Sequence, residues 1–237
     1  MDKEEIALSV EENYLRVADT VREAALKAGR DPKEIRLVAV TKFVDTERIA
    51  RAIGAGCSEV GENRAQELTD KYEFFKNNGQ TIHFIGQLQL NKVKYLIGRA
   101  DLIQSADRPE AFAEINRLAG KHGIRQQTLV EVNIGDEPQK AGIAPGDLPE
   151  LLKRISDMPC IQVKGLMCIP PAAGERGAGY YFARMKELFE DIKGMAIPGT
   201  EMEVLSMGMS GDYPSAIAEG ANMVRVGSAI FGRRPGH

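Results

Sequence analysis

The chain has no tryptophan and only three histidines and three cysteines among its 237 residues. Cys57, Cys160 and Cys168 are odd in number and lack CxxC spacing, which argues against a disulfide framework and against a zinc knuckle. Free thiols in a reducing compartment are expected. His83 lies inside an apolar stretch and is expected to be a hydrogen-bonded core residue, while His122 and His237 are too far off to form a metal-ligand spacing. No apolar run approaches the roughly 18–20 residues of a membrane span, and the acidic start Met1-Asp2-Lys3-Glu4-Glu5 leads into no apolar targeting core. A soluble, cytoplasmic protein is expected. A dominant charge is also missing, with 31 basic against 34 acidic residues and a formal net charge of −3. The basic residues are dispersed, so neither a nucleic-acid face nor a basic membrane patch is indicated, and small anionic ligands are left open. GxGxxG and Walker A patterns are absent.

What is present is a regular alternation. Short apolar runs fall at 36–42, 58–63, 81–86, 102–107, 128–134, 162–169, 203–208 and 223–231, with helical patterns between them at 46–54, 63–77, 90–97, 109–121, 147–156, 180–193 and 213–219. Asn63 and Gln66 have capping-box spacing at the start of the second of these helices. Strand alternating with helix implies right-handed crossovers and a parallel sheet. Eight strands close an α/β barrel, so a (β/α)8 TIM-like barrel is favoured over an open sheet, with residues 1–237 as one domain. Residues 4–28, with Ile6, Val10, Tyr14, Val17, Val21 and Ala25 in helical register, form an N-terminal amphipathic helix that stops at Gly29. After the eighth run too few residues follow for a closing helix, so the N-terminal helix is expected to cover that groove. Residues 172–179, with Gly174, Gly177 and Gly179, read as a flexible insertion that could gate a pocket.

The first run ends in Lys42, on the same strand face as Val38 and Val40, so its stem should leave the interior and its amine should stand beside a pocket. Taken alone, a lysine at a strand tip is more often a solvated terminator. In α/β barrels, however, the working face lies at the carboxyl ends of the strands, and phosphates are often held after strands seven and eight. Those loops are Leu205-Ser206-Met207-Gly208-Met209-Ser210-Gly211-Asp212 and Arg225-Val226-Gly227-Ser228, rich in small residues and hydroxyls. Ser210 or Asp212 could equally be a helix cap. Arg225, facing inward, must find an acceptor. A ligand with an aldehyde, a ring nitrogen and a phosphate would satisfy lysine, arginine and cradle together, and pyridoxal 5′-phosphate (PLP) has all three, with Lys42 forming the Schiff base.

Val38-Ala39-Val40-Thr41-Lys42, Gly61-Glu62-Asn63, the stretch from Ile82 to Lys92, Gly165-Leu166-Met167-Cys168-Ile169-Pro170, Leu205 to Asp212, and Val224 to Gly232 resemble the pyridoxal phosphate homeostasis protein family over residues 35–232. The resemblance implies a fold-type III barrel like the N-terminal domain of alanine racemase. It implies PLP on Lys42, phosphate contacts near Ser206, Ser210, Gly227 and Ser228 with Met207 and Asn63 alongside, and Arg225 near the pyridine nitrogen. Arg64, Gln139 and Ser228 depart from the usual family residues. An arginine at that nitrogen gives weak support to carbanion chemistry, and no second base is evident. A non-catalytic PLP carrier is therefore expected, a monomer that hands PLP to accepting apo-enzymes. A PLP-dependent racemase or lyase using Tyr213 or a partner chain as base is the second reading. A cofactor-free Schiff-base aldolase is the third.

Overall fold

The computed structural model describes residues 9–137, 139–171 and 177–232. Eight parallel strands close in sequence order: β1 (Arg36–Val40), β2 (Glu59–Glu62), β3 (Thr81–Phe84), β4 (Leu102–Ala106), β5 (Gln126–Val132), β6 (Ile161–Cys168), β7 (Thr200–Ser206) and β8 (Met223–Val226). The ring is closed by β1 on β8, with Val38 opposite Arg225 and Ala39 opposite Val226. The expected (β/α)8 barrel is therefore the observed one.

Around it lie α1 (Val10–Lys27), α2 (Thr46–Gly54), α3 (Ala65–Asn77), α4 (Val93–Leu96), α5 (Pro109–Lys121), α6 (Leu148–Ile155), α7 (Gly177–Gly194), α8 (Tyr213–Ala218) and α9 (Ser228–Phe231). Local signals set several boundaries: Asp45 accepts the Arg48 N–H to start α2, and Pro109 sits in the first turn of α5. Alternate strand residues divide two cores. Outward ones pack under the helices, while Val38, Leu102, Leu129, Met167, Val204 and Met223 fill the lumen.

Several boundaries differ from the sequence expectation. The N-terminal helix begins at Val10 because Ser9 and Glu12 form a capping box, and residues 1–8, with Ile6, lie outside the described residues. Helix α3 starts at Ala65 with no side-chain cap, so the Asn63–Gln66 spacing is not used. The eighth strand stops at Val226. The Ile230 and Phe231 amides both reach the Gly227 carbonyl at 2.9 Å, which turns the apolar run into α9 and buries Ile230 and Phe231. Gly177 and Gly179 belong to α7, and residues 172–176 of the expected insertion lie outside the described residues.

Helix α1 packs against α2, α8 and α9, the groove a closing helix would otherwise fill. It buries Val10, Tyr14, Val17, Val21 and Ala25, and the Tyr14 hydroxyl donates to the Gly56 carbonyl at 3.3 Å. Beyond it, Arg30 donates to the Ala221 carbonyl at 2.6 Å and the Ile217 carbonyl at 3.1 Å. The groove-covering expectation holds. Val17→Ala, at a site 2% exposed, should therefore cost about 2 kcal/mol and lower the thermal midpoint by roughly 4–8 °C. An unchanged midpoint would mean that α1 adds nothing to the barrel.

Candidate functional site

A cavity of about 660 Å3 opens at the carboxyl ends of the strands, within the usual size of small-molecule sites, roughly 300–1,000 Å3. Val40 and Lys42 both line it, while Val38 lies below in the lumen. The face read from strand parity is thus the face observed.

The turn that carries Lys42 is held from beneath. Glu62, fully buried, accepts from Thr41 Oγ1 at 2.7 Å and from Lys71 Nζ at 2.9 Å. Lys71 also reaches the Thr41 carbonyl at 2.9 Å and Glu67 at 3.1 Å, and Glu67 accepts the Phe43 N–H at 2.7 Å. Burial lifts the Glu62 carboxyl above its ordinary value, with Lys71 pulling the other way. Phe43 has φ +59°, a conformation that costs a bulky residue about 1–3 kcal/mol and persists only where its surroundings fix it. Its surroundings do so: the Arg64 guanidinium stands 4.5 Å from the Phe43 ring centroid. Lys42 therefore sits between two anchored neighbours.

On the neighbouring strand, β8, Arg225 is 4% exposed. Its Nη1 donates to Ser206 Oγ at 2.5 Å and its Nη2 to the Cys168 carbonyl at 2.9 Å. Both acceptors are neutral, and no carboxylate forms an ion pair with it among the described residues. A buried guanidinium facing a cavity without a counter-charge is a strong demand for an electron-rich ligand. Burial disfavours the Arg225 charge, while Cys168 and the carboxylates of Glu131 and Asp212 favour it, Glu131 facing inward from β5. Burial and the Asp107 carboxylate push Glu131 up to about 7, against the pull of Arg225.

The loops after β7 and β8 meet at Ser210. Its Oγ accepts the Gly227 N–H at 3.2 Å and the Ala229 N–H at 3.3 Å. Gly208 permits the turn, at φ +93°, where a Cβ would come within 2.6 Å of the Ala216 side chain. Asp212 accepts the Met209 N–H at 2.6 Å, which shapes the loop rather than capping α8. Two amides converging on one hydroxyl define a point where an anion's oxygen could be held.

Lys42, Asn63, Ser210, Arg225, Gly227 and Ser228 line the cavity as expected from the sequence. Ser206 and Met207 do not. Ser206 is fully buried beneath Arg225, and Met207 packs in the outer core. Tyr213, the proposed second base, is buried in the outer core as well and is not on the wall. Lys140 pairs with Glu137 and donates to the Pro170 carbonyl, away from the cavity. Asn63 brings an unexpected feature: its Oδ1 is buried without a hydrogen-bond partner. Its backbone is pinned, since a Cβ on Gly86 would lie 1.9 Å from its carbonyl oxygen. Sequence reading missed Arg48, which lines the cavity and donates to the Phe231 carbonyl, and also missed Gln104 and Glu131. The signal for Glu131 was available, since it shares inward parity with Leu129.

A barrel with a lysine at the tip of β1 and an arginine on β8 is the arrangement of a defined class, and residues 16–235 match the family model "Alanine racemase, N-terminal domain". The chain is 40% identical to the pyridoxal phosphate homeostasis protein of Aquifex aeolicus (strain VF5), over 94% of this chain and 97% of that one. It is 36% identical to the Escherichia coli (strain K12) protein of the same name, over 94% and 95%. The solved structure of PipY from Synechococcus elongatus PCC7942, with PLP bound, superposes with a TM-score of 0.78 at 32% identity over 90% of this chain and 99% of that one. Alanine racemase from Streptomyces lavendulae shares the fold, with a TM-score of 0.71 at 18% identity, and this chain covers 58% of it. The chain belongs to the pyridoxal phosphate homeostasis protein family.

Glu131 gives the site a pH signature. Between its ordinary value of 4.5 and about 7, the folded chain holds a proton that the unfolded chain releases, so this group's contribution to stability falls as pH rises through that window. Glu131→Gln should stabilise the ligand-free protein by on the order of 2–3 kcal/mol at about pH 8 and by little at about pH 4. Urea unfolding at the two pH values checks this, and an equal effect at both contradicts it.

Proposed function

We propose that the chain binds PLP in the barrel-top cavity and serves intracellular PLP homeostasis as a non-catalytic carrier. The carrying observation is the buried Arg225 guanidinium, which forms no ion pair among the described residues and faces the cavity. The residues present fit PLP. Arg225 would face the ring nitrogen, Lys42 would bond to the aldehyde carbon, and the Gly227 and Ala229 amides with Ser210 and Ser228 would hold the phosphate. Asn63 Oδ1 is an unsatisfied acceptor on the same wall. When bound, PLP supplies an electrophilic carbon and an electron-withdrawing ring.

Among the described residues, the cavity lining holds the cations of Lys42, Arg48 and Arg225 but no tyrosine, histidine or carboxylate. That composition supports binding over turnover, because racemisation needs a second positioned acid or base on the face away from Lys42. No helix among the described residues is long and apolar enough to cross a membrane. A cytoplasmic monomer that gives PLP to accepting apo-enzymes is consistent with these features.

Purified protein mixed with PLP should show a visible absorption band that borohydride fixes to one peptide containing Lys42. Lys42→Ala should lose both the band and the adduct, with its unfolding midpoint little changed. Retention of the adduct in Lys42→Ala would remove the anchor. Brisk racemisation of an amino acid by the wild-type protein, abolished in Lys42→Ala, would instead favour the racemase reading.

A further inference from the structure

One hydrogen-bonded thread runs the length of the lumen, from the amino ends of β1 and β2 to the cavity floor. Arg36 donates to both oxygens of Glu59, at 2.8 and 2.9 Å. Glu59 meets His83 Nε2 at 2.9 Å, and His83 Nδ1 meets Gln104 Nε2 at 3.0 Å. Ser206 donates to Gln104 Oε1 at 2.7 Å and accepts from Arg225 at 2.5 Å. His83, Gln104 and Ser206 are fully buried.

The two ends fix every proton between them. An arginine can only donate. Burial would raise the Glu59 carboxyl, but His83 and Arg36 hold it below its ordinary value, so it only accepts. Burial lowers His83 and favours its neutral form, with Glu59 opposing. Neutral His83 then carries its proton on Nε2 toward Glu59, leaving Nδ1 to accept from Gln104. The Gln104 amide is thereby oriented, with its oxygen toward Ser206 and an N–H toward the Met223 sulfur at 3.2 Å. From Arg225 to Glu59 every donor points the same way, and bonds aligned like this polarise one another. At the upper end, one guanidinium nitrogen is committed to Ser206 and another to the Cys168 carbonyl, which fixes the plane of the group. Its remaining N–H edge is what a ligand can meet.

We propose that Ser206, Gln104 and His83 are positioning residues for PLP that act through Arg225, setting the angle and polarisation of the guanidinium at the cavity floor. The inference rests on the cavity being the PLP site. A merely structural thread would satisfy buried polar groups and leave the bound cofactor's properties alone.

A double-mutant cycle on the full chain, read by PLP affinity and by the position of the visible band, separates the two. Ser206→Ala and Gln104→Met should each weaken PLP binding roughly tenfold and move the band. In an Arg225→Met background neither should add to the loss or to the shift. Additive losses, or single variants with wild-type affinity and band, overturn the proposal. Should the lumen variants fail to fold, Glu59→Gln at the far mouth reads the same thread by removing its anionic end. A band shift that vanishes in the Arg225→Met background supports it, and an unmoved band overturns it. Wild-type protein that takes up no PLP would bring down the function reading and this inference together, whereas binding with an additive cycle brings down the inference alone.

Discussion

A buried guanidinium with no carboxylate ion-paired to it among the described residues is the constraint around which this barrel is arranged. Leaving Arg225 in a low-dielectric lumen is tolerable only because Ser206 and the Cys168 carbonyl engage two of its nitrogens. The thread reaches downward, since the buried Ser206 hydroxyl that accepts from Arg225 must also place its own proton, which goes to Gln104, with His83 and Glu59 continuing the thread. It also explains why the lumen is not apolar throughout. The six lumen hydrophobics leave a polar channel whose two ends are an Arg36–Glu59 pair below and an arginine open to a cavity above.

The neighbouring strand, β1, meets a different demand. A lysine amine on a long stem has many rotamers, and a reactive position requires that its backbone at least be fixed. The Glu62–Lys71–Glu67 cluster secures Thr41 and Phe43 on either side of Lys42, and the left-handed conformation of Phe43 shows that the turn is imposed by these contacts rather than by local preference. Arg64, one of the departures from the usual family residues, holds that turn by lying over the Phe43 ring.

The barrel was legible because its signals are local and repeated: period-two runs, the Asp45 cap, Pro109 in a first turn, Gly29 after α1. Lys42 and Arg225 were legible because strand parity decides which way a side chain points. Depth along the lumen is not encoded in parity, so Ser206 was read as a cavity residue although it lies one layer beneath Arg225. The end of β8 was misread for a related reason. Ala229-Ile230-Phe231 is apolar in strand or helix alike, and its turn depends on the Gly227 carbonyl together with Ser210, distant in sequence, which takes the Gly227 and Ala229 amides. Asn63 carried a helix-cap spacing, but it immediately follows β2, and its backbone is held against Gly86 beside the cavity.

The same features bear on why such a site would hold a cofactor rather than use it. Rate enhancement needs interactions that strengthen on the way to a transition state, and interactions of equal strength throughout give affinity without turnover. The two arginines and the converging amides of this cavity offer cations and N–H donors, groups suited to charge already present in a free ligand. A guanidinium held by a polarised thread ending in a carboxylate stays a donor and has no proton to give at a ring nitrogen. On the proposed reading, such a floor suits capture of an electron-rich ligand group more than proton transfer to it.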